Sequence, residues 1–397
     1  MLPLTQNTSR RPIRIAIDAS NIRVGGGVTH LIELLRQADP ATHGFERVFV
    51  WASESTLAQL EDKPWLEKRN EPALEGHLLK RLLWQRRSLP HHLKEAKTDL
   101  LFVPGGSIVA RSHPVVTMSR NMLPFEWTEL KRFGFSELTL KLMLLRWNQI
   151  SSFKHADGTI FLTRYAHDAV LAVTGALKGK TTVIPHGIDT RFRLVPRRQR
   201  TADALTAVNP LRVVYVSTVD EFKHQWQVVD AIGRLRAEGI SIRLDLYGSA
   251  RASTLPRLTE ALRKVDSRGQ FVRYWGAVDY KEIHRCYAEA DLCVFASSCE
   301  NMPNILIESM AAGLPIACSD RGPMPEVLGN AGVYFDPENP TTITDAVRTL
   351  ALSAELRAEK AAAAFRAASE FSWSRCARET FDFLGMIALE HPIRSGE

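Results

Sequence analysis

The sequence predicts an α/β protein made of two doubly wound, parallel-sheet halves. Three observations carry this reading. Short apolar runs rich in Val, Ile and Leu alternate with helix-length spacers, the pattern of strands buried on both faces. The alternation pauses once, over the arginine-rich stretch Arg191–Asn209, which reads as a linker. The chain has 397 residues, 45% of them hydrophobic, enough to bury two cores.

In the first half, Ile13-Arg14-Ile15-Ala16-Ile17 is the predicted first strand. It runs into Asp18-Ala19-Ser20 and then Gly25-Gly26-Gly27, with a helix expected from about Val28 to Gln37. Further strands are predicted at Val48–Trp51, Leu100–Val103, Val115–Met118, Thr159–Leu162 and Thr182–Ile184. The second half repeats the plan with strands at Arg212–Val216, Arg243–Tyr247, Phe271–Tyr274, Leu292–Phe295, Ile316–Cys318 and Val333–Phe335. The expected layout is a first domain over 1–190, a linker over 191–209, a second domain over 210–370 and a helical end over 371–397 that could cross back onto the first domain. A crevice between the two domains is the expected ligand site.

The stretch from Cys299 to Pro315 is the most informative. Glu300 and Glu308 lie eight positions apart, the first in a loop after the strand Leu292–Phe295 and the second inside a short helix. Ligands of open α/β sheets bind at the carboxyl ends of strands, where this loop falls. A helix starting near Pro303 or Asn304 offers the free N–H groups of Asn304, Ile305 and Leu306 to a phosphate. One turn in, Glu308 can accept two hydrogen bonds from a ribose diol, while Glu300 reaches the group beyond the phosphates. Together they suit a nucleoside diphosphate carrying a sugar. Gly25-Gly26-Gly27 can approach a ligand closely or take positive φ, and Asp18 reads as a strand-end cap.

This segment resembles the E-x7-E signature of retaining glycosyltransferases of the GT-B fold, family 4. Its flanks agree. Ala290-Asp291-Leu292-Cys293-Val294, Glu308-Ser309-Met310-Ala311-Ala312-Gly313-Leu314-Pro315, Pro325-Glu326-Val327 and Ile184-Pro185-His186-Gly187-Ile188-Asp189 are each similar to a family motif in the same order. The resemblance implies that the second domain binds a nucleoside-diphosphate sugar and the first an acceptor, with a hexosyl group moved and its anomeric configuration retained. It implies catalytic roles for Glu300 and Lys223, and ribose binding by Glu308. Substrate contacts are implied for Asn301, Met302, Pro303, Asn304, Ile305, Gly26, Gly27, Thr218, Arg120, Asn121 and His186. Two departures from the family pattern stand out. Thr218 occupies the place of an arginine that with Lys223 would hold the diphosphate; Arg321 and His186 are the candidates to replace it. Arg120-Asn121 stand where relatives have His-Asp, and Arg120 is a candidate for an acceptor phosphate or the donor sugar.

No metal and no cofactor are expected; the nucleotide sugar is substrate. The implied donors are GDP-mannose or a UDP-hexose, and the implied acceptor a saccharide or lipid-linked saccharide of cell-surface polysaccharide. The rival readings are a phosphorylase, a sugar-nucleotide epimerase and a non-catalytic nucleotide-sugar-binding protein.

The net charge is +7, with 25 Lys and Arg against 18 Asp and Glu over residues 1–189 and 26 against 26 beyond. A basic half facing a neutral one suggests an anionic partner. The segment His77–Arg87 mixes an apolar stripe with cations, and Phe125, Trp127, Phe133 and Phe135 sit among Lys131 and Arg132. Both make an anionic membrane surface a candidate partner. No nucleic-acid-binding module accompanies the charge. Met1–Arg11 lacks the apolar core of a signal peptide, no run is long enough to span a bilayer, and the five cysteines include no C-x-x-C pair. These point to reduced thiols and a cytoplasmic protein, peripheral at the inner face of the plasma membrane.

Overall fold

The computed structural model describes residues 12–110, 112 and 114–391; the Met1–Arg11 segment weighed above lies outside them. The first domain holds β1 (Ile13–Asp18), β2 (Phe45–Trp51), β3 (Leu66–Arg69), β4 (Leu100–Val103), β5 (Val115–Met118), β6 (Gly158–Phe161) and β7 (Lys180–Val183). They form one sheet in the order β3-β2-β1-β4-β5-β6-β7, and every pairing is parallel. The second domain holds β8 (Leu211–Val216), β9 (Ile242–Tyr247), β10 (Val272–Tyr274), β11 (Leu292–Phe295), β12 (Ile316–Ser319) and β13 (Gly332–Phe335). Its parallel order is β10-β9-β8-β11-β12-β13.

The central strands are wholly buried: β4, β5, β6, β11 and β12 have no exposed residue. This is what helices on both faces of a parallel sheet demand. β3 was not predicted. Its sequence, Leu-Glu-Lys-Arg, is polar because it is an edge strand, half-buried along most of its length. The predicted strand Thr182–Ile184 begins two residues earlier, at Lys180, and the first helix starts at Gly26 rather than Val28.

Strand order reverses at β1/β4 and at β8/β11. These switch points aim the loops after β1, β8 and β11 into the crevice. The domains are joined there by specific contacts. Asn301 Nδ2 donates to Ser119 Oγ at 3.2 Å, and Thr163 Oγ1 donates to the Asn301 carbonyl at 3.0 Å. Arg132 pairs with Glu338 at 2.7 Å.

The last helix, Trp373–Glu390, packs against the first domain. Phe381 meets Phe45 edge-on at 5.7 Å, and Lys180 pairs with Glu390. At its start, a side chain on Gly187 would lie 2.1 Å from the Trp373 nitrogen. Only glycine therefore fits the His186-Gly187-Ile188 turn where the chain leaves the first domain.

Candidate active site

The site grows from β11. Its residues are completely buried, and the chain emerges as Ser297–Pro303 before entering the helix Asn304–Ala311. Glu300 meets Lys223, which sits on a 3-10 turn after β8; the two form a close ion pair with little exposure of either side chain. The pair uses Glu300 Oε1 and leaves Oε2 for another donor. Lys223 also lies 5.7 Å from the Phe295 ring, so an aromatic floor backs its charge.

Glu308 is buried in the second domain. Tyr280 donates to its Oε1 at 3.2 Å and Tyr287 to its Oε2 at 3.1 Å. Burial raises its pKa from 4.5 to about 7, against the lowering effect of the two phenols. Arg191 stacks over the Tyr280 ring at 4.3 Å. Glu308, Tyr280, Arg191, Ile305 and the Gly25–Gly26 loop line one cleft of about 720 Å³ between the domains.

The helix start is less open than its sequence implies. Asn304 N–H and Leu306 N–H are engaged by the Met302 and Pro303 carbonyls, both at 3.0 Å. Among the described residues, Ile305 N–H alone of the three has no acceptor. Asn304 Oδ1 meets His186 Nδ1 at 3.1 Å, which turns the amide NH2 the other way, 3.8 Å from where a side chain on Gly26 would begin. Gly25, at φ 70°, makes the turn that brings Gly26 there.

Met302 and Pro303 are buried, Met302 within the main core, and Asn301 gives its Nδ2 to Ser119 across the domain contact while its buried Oδ1 has no partner among the described residues. Their side chains support the loop rather than reach the cleft. Thr218 is exposed, and its carbonyl accepts from Gln225. Asn121 closes a local turn by accepting from Leu123 N–H at 3.1 Å. Neither candidate for the absent arginine fills that role. Arg321 is paired with Asp336 at 3.0 Å. His186 is buried between His30 and Trp373, and burial together with the nearby Arg120 lowers its pKa to about 3, so it carries no charge. Arg120 follows β5 and extends over the loop after β1, its Nη1 3.3 Å from where a Gly27 side chain would start.

Asp18 accepts from Ser20 N–H and from Gln85 at 2.6 Å, and so holds the loop after β1. The sequence marks neither Tyr280 nor Tyr287 as a site residue, and Arg191 reads there only as the start of the linker. Nothing in their spacing marks them: Tyr280 lies in a turn and Tyr287 in the helix Ile283–Glu289, both ahead of β11. Among the described residues, no cluster of three metal-ligating side chains is placed to hold an ion, and all five cysteines are unpaired.

Two sequence families match this architecture, one per domain. The profile described as Glycosyltransferase Family 4 matches residues 24–192, and that described as Glycosyl transferases group 1 matches residues 210–353. The chain belongs to the family 4 glycosyltransferases, with the GT-B fold. An O-antigen chain mannosyltransferase B of Escherichia coli is 29% identical over 29% of this chain and 30% of its own length. A glycogen synthase of Mycobacterium tuberculosis is 27% identical over 57% of this chain and 53% of its own. The matches thus span from about a third to about half of these relatives. Among solved structures, sucrose-phosphate synthase from Thermosynechococcus elongatus superposes with a TM-score of 0.72 at 18% identity, over 93% of this chain and 97% of that one. Anabaena HepE in complex with UDP-glucose gives 0.68 at 17%, over 93% and 98%. At these identities the structures speak for the fold.

Proposed function

We propose that the protein is a retaining hexosyltransferase that moves a sugar from a nucleoside diphosphate to a hydroxyl of a saccharide or lipid-linked acceptor. The observation that carries this reading is the division of the crevice between two carboxylates. Glu308, held by two phenols at one end, suits a ribose diol. Glu300, paired with Lys223 at the other, keeps Oε2 for a sugar hydroxyl. Between them lie Ile305 N–H, the Asn304 amide and the Gly25–Gly27 loop, donors and open space suited to a diphosphate.

In this reading the bond from the anomeric carbon to the phosphate oxygen breaks while the acceptor oxygen bonds to the same face. The acceptor proton passes to the departing phosphate, so no side chain has to act as base. Lys223 offsets the charge that develops on the leaving group. Closure of the crevice excludes water and spares the donor from hydrolysis. No metal or cofactor is invoked.

GDP-mannose and UDP-hexoses are both proposed donors; the mannosyltransferase relative supports mannose as the sugar, and the UDP-glucose-bound structure a UDP-hexose. We place the activity in surface-polysaccharide synthesis at the inner face of the plasma membrane. No described helix is long and apolar enough to cross a bilayer. Support for a peripheral site comes from the helix Glu137–His155, which leaves Leu140, Leu144 and Trp147 exposed beside the fully exposed Phe135. A panel of GDP-, UDP- and dTDP-sugars with lipid-linked and free saccharides tests the assignment. Release of nucleoside diphosphate with a product of retained anomeric configuration is expected. Binding without transfer to any acceptor, or inversion, overturns it.

A further inference from the structure

Among the described residues, the crevice has no free cation beside Thr218, the side where the family pattern places one. Lys223 is already committed to Glu300. The other basic groups around that end of the second domain also have carboxylates: Arg251 pairs with Asp220, Arg257 with Glu221 at 3.0 Å, and Arg321 with Asp336 at 3.0 Å. Thr218 brings no charge. A diphosphate bound only by these groups would have to take Lys223 from its partner.

The opposite wall carries the converse. Among the described residues, the Arg120 guanidinium has no carboxylate partner and no hydrogen-bond acceptor, although it is only partly exposed. Burial lowers its pKa to about 10, which leaves it charged at neutral pH. The imidazoles near it, His30 and His186, are both held neutral, first by burial and further by Arg120 itself. A cation removed from water and left unpaired is unfavourable unless an anion arrives. Its Nη1 touches the space above Gly27, one residue from Gly26, whose own open side faces the Asn304 amide. The free guanidinium over Gly27 and the Asn304 amide NH2 over Gly26 thus meet consecutive glycines of one loop from two domains, with the Ile305 N–H one residue beyond that amide.

We propose that Arg120 supplies the second cation of the donor diphosphate site, from the first domain. The diphosphate would then bridge the domains, with Asn304 and Ile305 on one side and Arg120 over Gly27 on the other. Donor binding and crevice closure become one event, because the leaving group is fully neutralised only when both walls meet it. This inference rests on the nucleotide-sugar reading above and gives that reading a domain-coupling element. A carboxylate or phosphate on the transferred sugar or acceptor is the other source of an anion for the same guanidinium, and the test separates them.

The test is calorimetric titration of the full chain and of Arg120→Met and Arg120→Lys with UDP, UMP, GDP and GMP, none of which carries a sugar. The wild type should prefer the diphosphate of whichever base it takes. Arg120→Met should lose about 10- to 100-fold in diphosphate affinity, as expected for charge-assisted hydrogen bonds, with little change for the monophosphate. Arg120→Lys should recover part of it. The ligand-free melting temperature of Arg120→Met should be unchanged or higher, since an unpaired charge is removed; should that variant not fold, Arg120→Lys carries the comparison. Scattering should also show the wild type contracting on adding the diphosphate and Arg120→Met contracting less. Equal diphosphate affinity in wild type and Arg120→Met overturns the proposal and assigns the guanidinium to a sugar or acceptor anion. A lower ligand-free melting temperature with unchanged nucleotide selectivity makes Arg120 structural and overturns it too. If the wild type binds no nucleotide, it is the nucleotide-sugar reading that fails.

Discussion

Tyr287 Oη lies 3.1 Å from Glu308 Oε2, and donates to a carboxylate that is almost completely out of water. Tyr280 does the same for Oε1. The pair explains how an acid can be kept in a buried position. Each oxygen loses water but keeps one donor, and each retains a lone pair for a ligand.

A pH dependence follows from the displacement of Glu308 from 4.5 to about 7. The folded state holds its proton more tightly than the unfolded one. Stability from this group is therefore greatest below the unfolded value and is lost as pH rises from about 4.5 through 7. The displacement corresponds to roughly 3 kcal/mol at most against the folded carboxylate at high pH. Glu308→Gln should accordingly raise the melting temperature at pH 8 and leave it near wild type at pH 4.5. Nucleotide affinity should move the other way, falling below pH 7 in the wild type as the ribose acceptor is protonated, and being low and pH-independent in Glu308→Gln. A flat affinity profile for the wild type between pH 6 and 8 would count against the ribose assignment.

Tyr287→Phe separates the phenol from the ring. The aromatic packing against Phe192 at 6.0 Å survives, while a buried carboxylate loses one of its two donors. A loss of about 1–3 kcal/mol in stability at pH 8 is expected, with a smaller loss at pH 5, where Glu308 is protonated. Urea unfolding at the two pH values reads the difference; equal losses would mean that the hydroxyl does not serve the carboxylate.

How much of this was legible in the sequence depended on distance along the chain. The buried strands declared themselves because Leu292–Phe295 or Leu100–Val103 has no polar residue to place elsewhere. β3 did not, because an edge strand with Glu67, Lys68 and Arg69 has the composition of a loop. Glu300 and Glu308 were legible because their spacing sits in an ordered set of motifs. Their partners were not: Tyr287 reaches Glu308 across 21 positions and Lys223 reaches Glu300 across 77, contacts that exist only once helices and loops pack. The open helix start was over-read, since backbone carbonyls of Met302 and Pro303 take two of the three N–H groups assigned to phosphate. Of the two cations the sequence offers in place of the arginine, ion pairing removes Arg321 and burial neutralises His186.

Lys223 and Glu300 are coupled in structure and in chemistry, so single substitutions confound the two. Lys223→Ala leaves a carboxylate with little solvent and no partner, and should cost roughly 3–5 kcal/mol in stability as well as turnover. The double variant Lys223→Met, Glu300→Gln removes both charges and should regain most of the stability while remaining inactive. Denaturant unfolding and donor turnover on the wild type, Lys223→Met, Glu300→Gln and the double variant complete the cycle. Recovery of activity in the double variant would remove both residues from the reaction.

Glu326 marks a contact whose purpose was hidden in its motif. Its carboxylate accepts from Arg164 N–H at 2.8 Å and Tyr165 N–H at 2.9 Å, the first turn of the helix Arg164–Thr174 in the other domain. Thr163 caps the same helix from within. An acidic cap delivered across the crevice favours the apposed arrangement, and its removal should cost about 1 kcal/mol of interdomain free energy. Glu326→Ala should therefore increase the radius of gyration of the ligand-free protein and speed proteolysis of the linker, with the two sheets intact by circular dichroism. Unchanged scattering would show that Arg132–Glu338 and Asn301–Ser119 hold the domains without it.

Phe125 is buried and Phe133 half-buried, so of the four aromatics first weighed for lipid contact only Trp127 and Phe135 are exposed. The stronger element is the helix Glu137–His155, where Leu140, Leu144 and Trp147 form a stripe at helical spacing that no other part of the described chain covers. Trp127, Phe135, Leu140 and Met143 wall an apolar cleft of about 730 Å³, with Lys131 at its border. An apolar stripe with a cation beside it matches the chemistry of an anionic bilayer surface. The triple variant Phe135→Glu, Leu144→Glu, Trp147→Glu should lower cosedimentation with phosphatidylglycerol vesicles by roughly tenfold or more, since it removes apolar burial and adds repulsion. Transfer to a water-soluble acceptor should be unaffected, because these residues lie outside the cleft that contains Glu308. Equal binding of the triple variant and wild type, or binding of the wild type to neutral and anionic vesicles alike, would assign the stripe to a protein partner instead.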